Sequence, residues 1–223
     1  RADGTNVFAP GNKWGIFPAA SAAWRISDES FMEWSKDWLS TLKMRASYGK
    51  SGNARVGSYW RQTYSPVTST KNLYYQNEIG QSSLQPAKRL RNENLTWESK
   101  FSTNVGFDLG FFSNRINLTF DYYNDVTKDL IMEVQLPSNA GYSSQYQNLG
   151  QTTNRGVELS LNANLVQTKD FYLDFNFNIA FNKNKVDALY GANGDEMILS
   201  GGGTETGSDN YRVFVGQEVG LMY

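Results

Sequence analysis

Residues 95–123, LTWESKFSTNVGFDLGFFSNRINLTFDYY, alternate in polarity along two runs joined at Ser113-Asn114. On the first run the odd positions are Leu95, Trp97, Ser99, Phe101, Thr103, Val105, Phe107 and Leu109, with Glu98, Lys100, Asn104 and Asp108 among the even ones. Past Phe112-Ser113-Asn114-Arg115 the parity flips, and Ile116, Leu118, Phe120 and Tyr122 oppose Asn117, Thr119, Asp121 and Tyr123. A period of two puts alternate side chains on opposite faces of a strand. A two-residue turn at Ser113-Asn114 then pairs Phe111 with Ile116, Leu109 with Leu118, Phe107 with Phe120 and Val105 with Tyr122. All four pairs fall on one face, which is what fixes the register of a half-apolar hairpin. The next pair, Thr103 with Asn124, marks the end of the apolar band.

The same alternation recurs outward from this hairpin. Leu42, Met44, Ala46 and Tyr48 oppose Lys43, Arg45, Ser47 and Gly49. Val157, Leu159, Leu161, Ala163 and Leu165 oppose Glu158, Ser160, Asn162 and Asn164. Phe171, Leu173, Phe175, Phe177, Ile179 and Phe181 oppose Asp174, Asn176, Asn178 and Asn182, and a weaker run, 16–26, carries Ile16, Ala20, Ala22, Trp24 and Ile26. Amphipathic strands suit either a soluble sandwich, apolar face inward, or a membrane barrel, apolar face in lipid and polar face in the lumen. Length and loop asymmetry separate the two. These runs hold their period for roughly nine to fifteen residues, against about five or six for a globular strand, and about nine to eleven cross a bilayer at a tilt. Phe112–Arg115 and Gln167-Thr168-Lys169 are minimal turns, whereas 50–94, 127–152 and 183–210 are long and polar. Short turns at one end and long loops at the other define an outer-membrane barrel. The fold class is therefore all-β: a segment of a large antiparallel transmembrane barrel with roughly six spanning strands.

Composition narrows the chemistry. With 21 basic and 22 acidic residues there is no global field for nucleic acid or anionic lipid. Cysteine and histidine are both absent, which excludes disulfides, thiolate and Ser-His nucleophiles, and the usual zinc ligands. Gly49-Lys50-Ser51 ends like a phosphate-binding loop, but Met44 stands where that loop needs glycine, and Gly52, Asn53 and Gly57 follow in place of a helix. Asp195, Glu196 and Asp209 fit no EF-hand spacing, so neither a metal nor a cofactor is expected. Gly201-Gly202-Gly203 reads as a loop tip, and Asn94-Leu95-Thr96 and Asn117-Leu118-Thr119 as chance glycosylation patterns at or within strands. Over 27–41, Ser30 and Glu33 have capping-box spacing and Phe31, Trp34, Trp38 and Leu39 share a helical face, which predicts a short interfacial helix. The opening Arg1-Ala2-Asp3-Gly4, turn-like and without a leader, leads to the expectation of an internal piece of a longer protein.

Several motifs resemble the SusC/RagA family of TonB-dependent outer-membrane transporters. They run in order along the chain: Arg1–Thr5 with Phe8; Trp14-Gly15-Ile16-Phe17-Pro18; Ser21–Ser27 with Glu29 and Phe31; Leu42–Gly49 followed by Ser51-Gly52-Asn53. Asn94-Leu95-Thr96-Trp97-Glu98, Asp121-Tyr122-Tyr123 with Thr127–Ile131, Asn154-Arg155-Gly156-Val157-Glu158 and Asn182-Lys183-Asn184-Lys185-Val186 complete the series. Under this resemblance Tyr48–Asn53 is a strand leaving the bilayer, which accounts for Gly49-Lys50-Ser51.

The resemblance implies a barrel of about 22 strands in the whole protein, with residues 1–223 forming part of its wall and ending in an outer loop at Gly216–Tyr223. The plug and the closing strands are then expected outside this chain. It implies import of an oligosaccharide or peptide substrate, a SusD-like surface lipoprotein as lid, the TonB-ExbB-ExbD complex acting through an N-terminal part, and outer-membrane lipid around the wall. No nucleic-acid partner and no catalytic residues are expected. Tyr59, Trp60, Tyr64, Tyr74 and Tyr75 in the first long loop, and Tyr142 and Tyr146 in the second, are candidate substrate or partner contacts, since aromatic rings stack on sugars and pack on peptides. Packing of loop against loop is the alternative for them. The competing functions are a passive outer-membrane porin or adhesin barrel and a soluble carbohydrate-binding β-sandwich.

Overall fold

The computed structural model describes residues 1–56, 64–66, 84–86, 89–189, 196–199, 211–219 and 221–222. Tyr59, Trp60, Tyr74, Tyr75, Asp195, Asp209 and Gly201-Gly202-Gly203 lie outside the described residues. Two compact units divide the chain, the larger comprising Phe17–Ser51, Ser99–Lys128 and Gly150–Tyr223. Its frame is a sheet of six strands: β1 (Ala19–Arg25), β2 (Leu39–Asn53), β3 (Glu98–Phe111), β4 (Ile116–Lys128), β5 (Gln151–Gln167) and β6 (Tyr172–Ala188). The spatial order β6-β5-β4-β3-β2-β1 follows the chain, an up-and-down meander. No helix among the described residues is long and apolar enough to cross a membrane. Strands β2 to β6 run 13 to 17 residues, more than the roughly 9–11 a tilted strand needs to span lipid.

The register expected for the β3–β4 hairpin is the observed one: Phe111 pairs with Ile116, Leu109 with Leu118, Phe107 with Phe120, Val105 with Tyr122 and Thr103 with Asn124. Ser113 and Asn114 have φ of 58° and 60°, and the Arg115 N–H donates to the Phe112 carbonyl at 3.3 Å. Left-handed backbone at both central residues is the turn whose twist matches that of the flanking strands. Ser40 Oγ accepts from Ser113 N–H at 2.7 Å, and the Phe112 N–H donates to the Trp38 carbonyl at 2.9 Å.

Propagated across β4, β5 and β6, this register builds an apolar grid four strands wide. Its rows are Val105–Tyr122–Val157–Phe181, Phe107–Phe120–Leu159–Ile179, Leu109–Leu118–Leu161–Phe177 and Phe111–Ile116–Ala163–Phe175. A sandwich would bury these side chains under a second sheet. On β6, however, Phe175, Phe177 and Phe181 are 46%, 43% and 65% exposed. A contiguous apolar surface of this extent is unstable in water and stable in lipid.

At the short-turn end the structure corrects the expected helix. Residues 27–41 form two brief 3₁₀ turns, Ile26–Asp28 and Ser30–Ser35, with Glu29 at the N-cap and no side-chain capping bond. The Glu29 carboxylate instead accepts the indole N–H of Trp24 at 2.9 Å. The rings do not line one helical face. Phe31 packs edge-on against Trp24, Trp34 tilts against Trp38, and Trp38 stacks on Phe111. Leu39, expected on that face, is buried as the first residue of β2. Phe31 and Trp34 are well exposed, the disposition of an interfacial aromatic belt.

The smaller unit comprises Arg1–Ile16, Gly52–Glu98 and Asp129–Leu149. Phe8 and Leu95 are fully buried at its centre, with Val7, Ala54, Val56, Trp97, Ile131 and Tyr146 around them. Leu95 and Trp97, expected on a spanning strand, therefore belong to this core; the Phe8 and Trp97 rings meet edge-on at 5.7 Å, and β3 begins only at Glu98. Asn94-Leu95-Thr96 accordingly precedes the strand. The turn expected at the start is a strand: Ala2–Gly4 pairs antiparallel with Trp14–Ile16. Ile16 is thus separated from β1, with Phe17-Pro18 between them. A second sheet sets Ile131–Gln135 antiparallel to Ser144–Asn148, which runs parallel to Arg89–Leu90. In the larger unit, Tyr211–Phe214 pairs with Glu196–Leu199 and with Leu221–Met222, so strand pairing continues into the expected outer loop.

Candidate functional site

The polar face of the sheet is a row-by-row counterpart of the apolar grid. Its rows are Asn104–Tyr123–Gly156–Asn182, Gly106–Asp121–Glu158–Ala180, Asp108–Thr119–Ser160–Asn178 and Gly110–Asn117–Asn162–Asn176. Two of the glycines make room for side chains to lie flat on the wall. A Cβ at Gly106 would stand 2.7 Å from Arg45 Nη2 and against Asp121 Oδ1; one at Gly156 would stand 2.5 Å from the Tyr123 hydroxyl and 2.6 Å from the Phe181 carbonyl. Through these gaps run two polar bridges. Arg45 donates twice to Asp108, at 2.9 and 3.0 Å, and once to Asp121 at 3.1 Å. Lys43 stands 4.0 Å from the same Asp108. Tyr123, lying over Gly156, donates to Asn182 Oδ1 at 3.0 Å, so three strands are tied by one ring. Lys100 and Asp125 pair at 2.7 Å.

What this face offers a solute is mainly neutral. The basic and acidic groups near Arg45 neutralise each other, and Asn117, Asn162 and Asn176 stand side by side on β4, β5 and β6. An amide presents both donors and an acceptor, so such a wall can exchange hydrogen bonds with hydroxyls or peptide groups without holding either tightly. On this face Arg45 holds Asp108 and Asp121 in ion pairs. A shallow hollow bordered by Ala20, Ala22, Ala46, Tyr48, Thr103 and Val105 arises from small side chains on the apolar face. It is a lipid-side feature.

In the smaller unit, Arg89 forks onto Glu133 at 2.7 and 3.0 Å, Ser144 Oγ donates to Glu133 at 2.5 Å, and the Arg89 guanidinium lies 5.3 Å from the centre of the Tyr146 ring. The Arg89 fork, chiefly, with Ser144 and the Tyr146 hydroxyl, holds the Glu133 carboxyl below the usual glutamate range despite partial burial. Asparagines clamp the neighbouring segments. Asn148 accepts the Thr96 N–H at 2.7 Å while donating to the carbonyls of Thr96 and Asp129 at 2.9 and 3.0 Å. Asn92 donates to the Tyr146 carbonyl at 2.8 Å.

Of the aromatic candidates, Tyr146 is half-buried in this network and packs against the Phe8–Leu95 core. Tyr142 is half-buried in the bend before Ser144. Tyr64 opens a short strand, Tyr64–Pro66, paired with Leu84–Pro86. The other four lie outside the described residues. The bridges from Arg45 and Tyr123 escaped sequence reasoning, although parity already placed Arg45, Asp108 and Asp121 on polar faces. The missing information was the alignment of β2 beside β3 across a connection of more than forty residues.

Comparison with known proteins agrees with this geometry. The family described as "TonB dependent receptor-like, beta-barrel" matches residues 1–211. The chain is 36% identical over 219 residues to TonB-dependent receptor P26 of Formosa agariphila, covering 98% of this chain and 21% of that protein. It is 33% identical over 215 residues to TonB-dependent receptor SusC of Bacteroides thetaiotaomicron, covering 96% of this chain and 21% of SusC. Among solved structures, that of the RagAB peptide transporter superposes with a TM-score of 0.79 at 26% identity, covering 97% of this chain and 22% of that one. The chain therefore spans about a fifth of the length of the relatives it matches. The apolar grid, the polar counter-face and these matches together make the chain a SusC/RagA-like member of the TonB-dependent receptor β-barrel family, resident in the outer membrane.

Proposed function

We propose that this chain is a section of the wall of an active outer-membrane importer, driven through TonB-ExbB-ExbD and working with a SusD-like surface lipoprotein on oligosaccharides or peptides. The observation that carries the proposal is the two-faced sheet: an apolar grid for lipid backed by an asparagine-rich, hydrogen-bonding face for a water-filled passage. A neutral, hydrogen-bonding wall suits polar cargo that must slide past without being trapped. The similarity to SusC and to a peptide transporter supports an importer over a passive porin. The long connections are read as facing the cell exterior, where Tyr64, Tyr142 and Tyr146, with Tyr59, Trp60, Tyr74 and Tyr75, contribute to contacts with the lipoprotein or the cargo. The chain has no native cysteine, so single cysteines report cleanly. In intact cells expressing the full-length protein, an impermeant thiol reagent should label cysteine at Ser69 and Ser208, and should reach cysteine at Ser113 only after the outer membrane is permeabilised. Deleting residues 59–75 should weaken lipoprotein co-purification or uptake while the barrel still folds. The reverse labelling pattern contradicts the orientation, and a deletion without effect on either readout contradicts the aromatic contacts.

A further inference from the structure

Charge is segregated between the two faces of the sheet. Within the six strands the polar face carries Glu98, Asp108, Asp121, Asp125, Glu158 and Asp174 beside its cations, whereas the lipid-side parity carries one carboxylate, Asp187. At the long-connection end of that same lipid side stand Lys50, Lys128, Arg155, Lys183 and Lys185. Among the described residues, only Lys185 of these five has an acidic neighbour, Asp187 at 3.8 Å. Lys50 and Lys128 flank the Phe101 ring, their Nζ atoms 5.5 and 5.7 Å from its centre. One row beyond the last apolar row, the register Thr103–Asn124–Arg155–Lys183 sets an exposed arginine directly opposite an exposed lysine. Like charges directly opposite on neighbouring strands are destabilising. An anion between them removes that cost.

We infer that this row and its flanking lysines bind the phosphate groups of an anionic lipid in the leaflet on the long-connection side. The chemistry is complete for a phosphate. Arg155 supplies a planar fork suited to two of its oxygens, Lys183 a point charge, and Asn124 and Thr103 lie in the same row as neutral donors. The apolar grid next to the row accommodates the acyl chains of the same molecule. This selects a lipid headgroup over a free ion, because a free ion gains nothing from the grid. The inference rests on the barrel-wall reading and is independent of the cargo.

The test uses the full-length protein in phosphatidylcholine nanodiscs doped with lipid A, with lipid retention read by native mass spectrometry. Each cation neutralised should lower lipid A retention about fivefold at low salt, so Arg155→Gln/Lys183→Gln should lower it about 25-fold. Lys36→Gln/Lys169→Gln, at the short-turn end, should leave it unchanged. Added salt should release lipid A from the unmodified protein but not phosphatidylcholine, a readout that does not depend on the variant folding. Inorganic phosphate at the same concentration as lipid A should not compete. Undiminished retention in the double variant, an equal loss in the control pair, no salt effect, or full competition by inorganic phosphate would each overturn the inference.

Discussion

Gly156 and Gly106 are where the wall depends on having no side chain. Gly156→Val drives its Cβ into the Tyr123 ring and the Phe181 carbonyl, the latter a backbone atom that cannot swing away. The expected cost is about 1–3 kcal/mol, measured as a lower urea midpoint for the full-length protein in detergent. Tyr123→Phe, which loses only the hydrogen bond to Asn182, should cost about 0.5–1.5 kcal/mol. Arg45 is the second such point. Its replacement by Met strands Asp108 and Asp121 close together, at about 1–3 kcal/mol after allowance for partial exposure. Adding Asp108→Asn and Asp121→Asn to Arg45→Met should recover part of that loss, whereas independent sites would simply add. Glu133 gives a pH signature in the smaller unit. Because its folded pKa lies below the ordinary value, its stabilisation is fully present above the unfolded glutamate range and is lost as pH falls through the folded value. Protection of the amides over 131–148, corrected for the intrinsic pH dependence of exchange, should therefore fall at acidic pH in the native protein, and Glu133→Gln should flatten that dependence.

At the scale of the strand, alternation makes a sharp contrast between neighbours on β6. Phe177→Arg places a charge within the apolar grid and should cost about 2–4 kcal/mol, while Asn178→Arg points to the other face and should be far better tolerated. Folding yield of the full-length protein into liposomes reads the difference, and equal damage from both contradicts the face assignment. The strands and the β3–β4 register were legible because period two and a left-handed two-residue turn are local properties of Val105–Tyr122. The segment 27–41 was not. Its capping-box spacing is a local signal, but Glu29 is claimed by Trp24 and Trp38 by Phe111, and these tertiary contacts outweigh helix propensity. Leu95 and Trp97 misled for a related reason: they continue the β3 parity, yet Phe8, nearly ninety residues away, supplies the core they enter. The Arg45 bridges demanded the same long-range knowledge, and the aromatic candidates carry no local pattern that distinguishes a ring for binding from a ring for packing.

At the scale of the whole molecule, a sheet with one face in lipid and one in water is stable only when its edges are paired, since lipid cannot satisfy free backbone groups. β1 and β6 are the edges of the sheet, and the barrel-wall proposal has neighbouring strands of the full-length protein pair with them. Which face of such a wall meets lipid is a direct physical question. The decisive measurement is a spin-label scan with single cysteines from Phe175 to Lys183 in the full-length protein in nanodiscs, comparing collisions with oxygen, which concentrates in lipid, and with a water-soluble nickel chelate. Oxygen accessibility should peak at 175, 177, 179 and 181, nickel accessibility at 176, 178, 180 and 182, and 183 should turn toward water. A profile without a period of two, or with the two probes exchanged, would contradict the placement of this chain as a barrel wall.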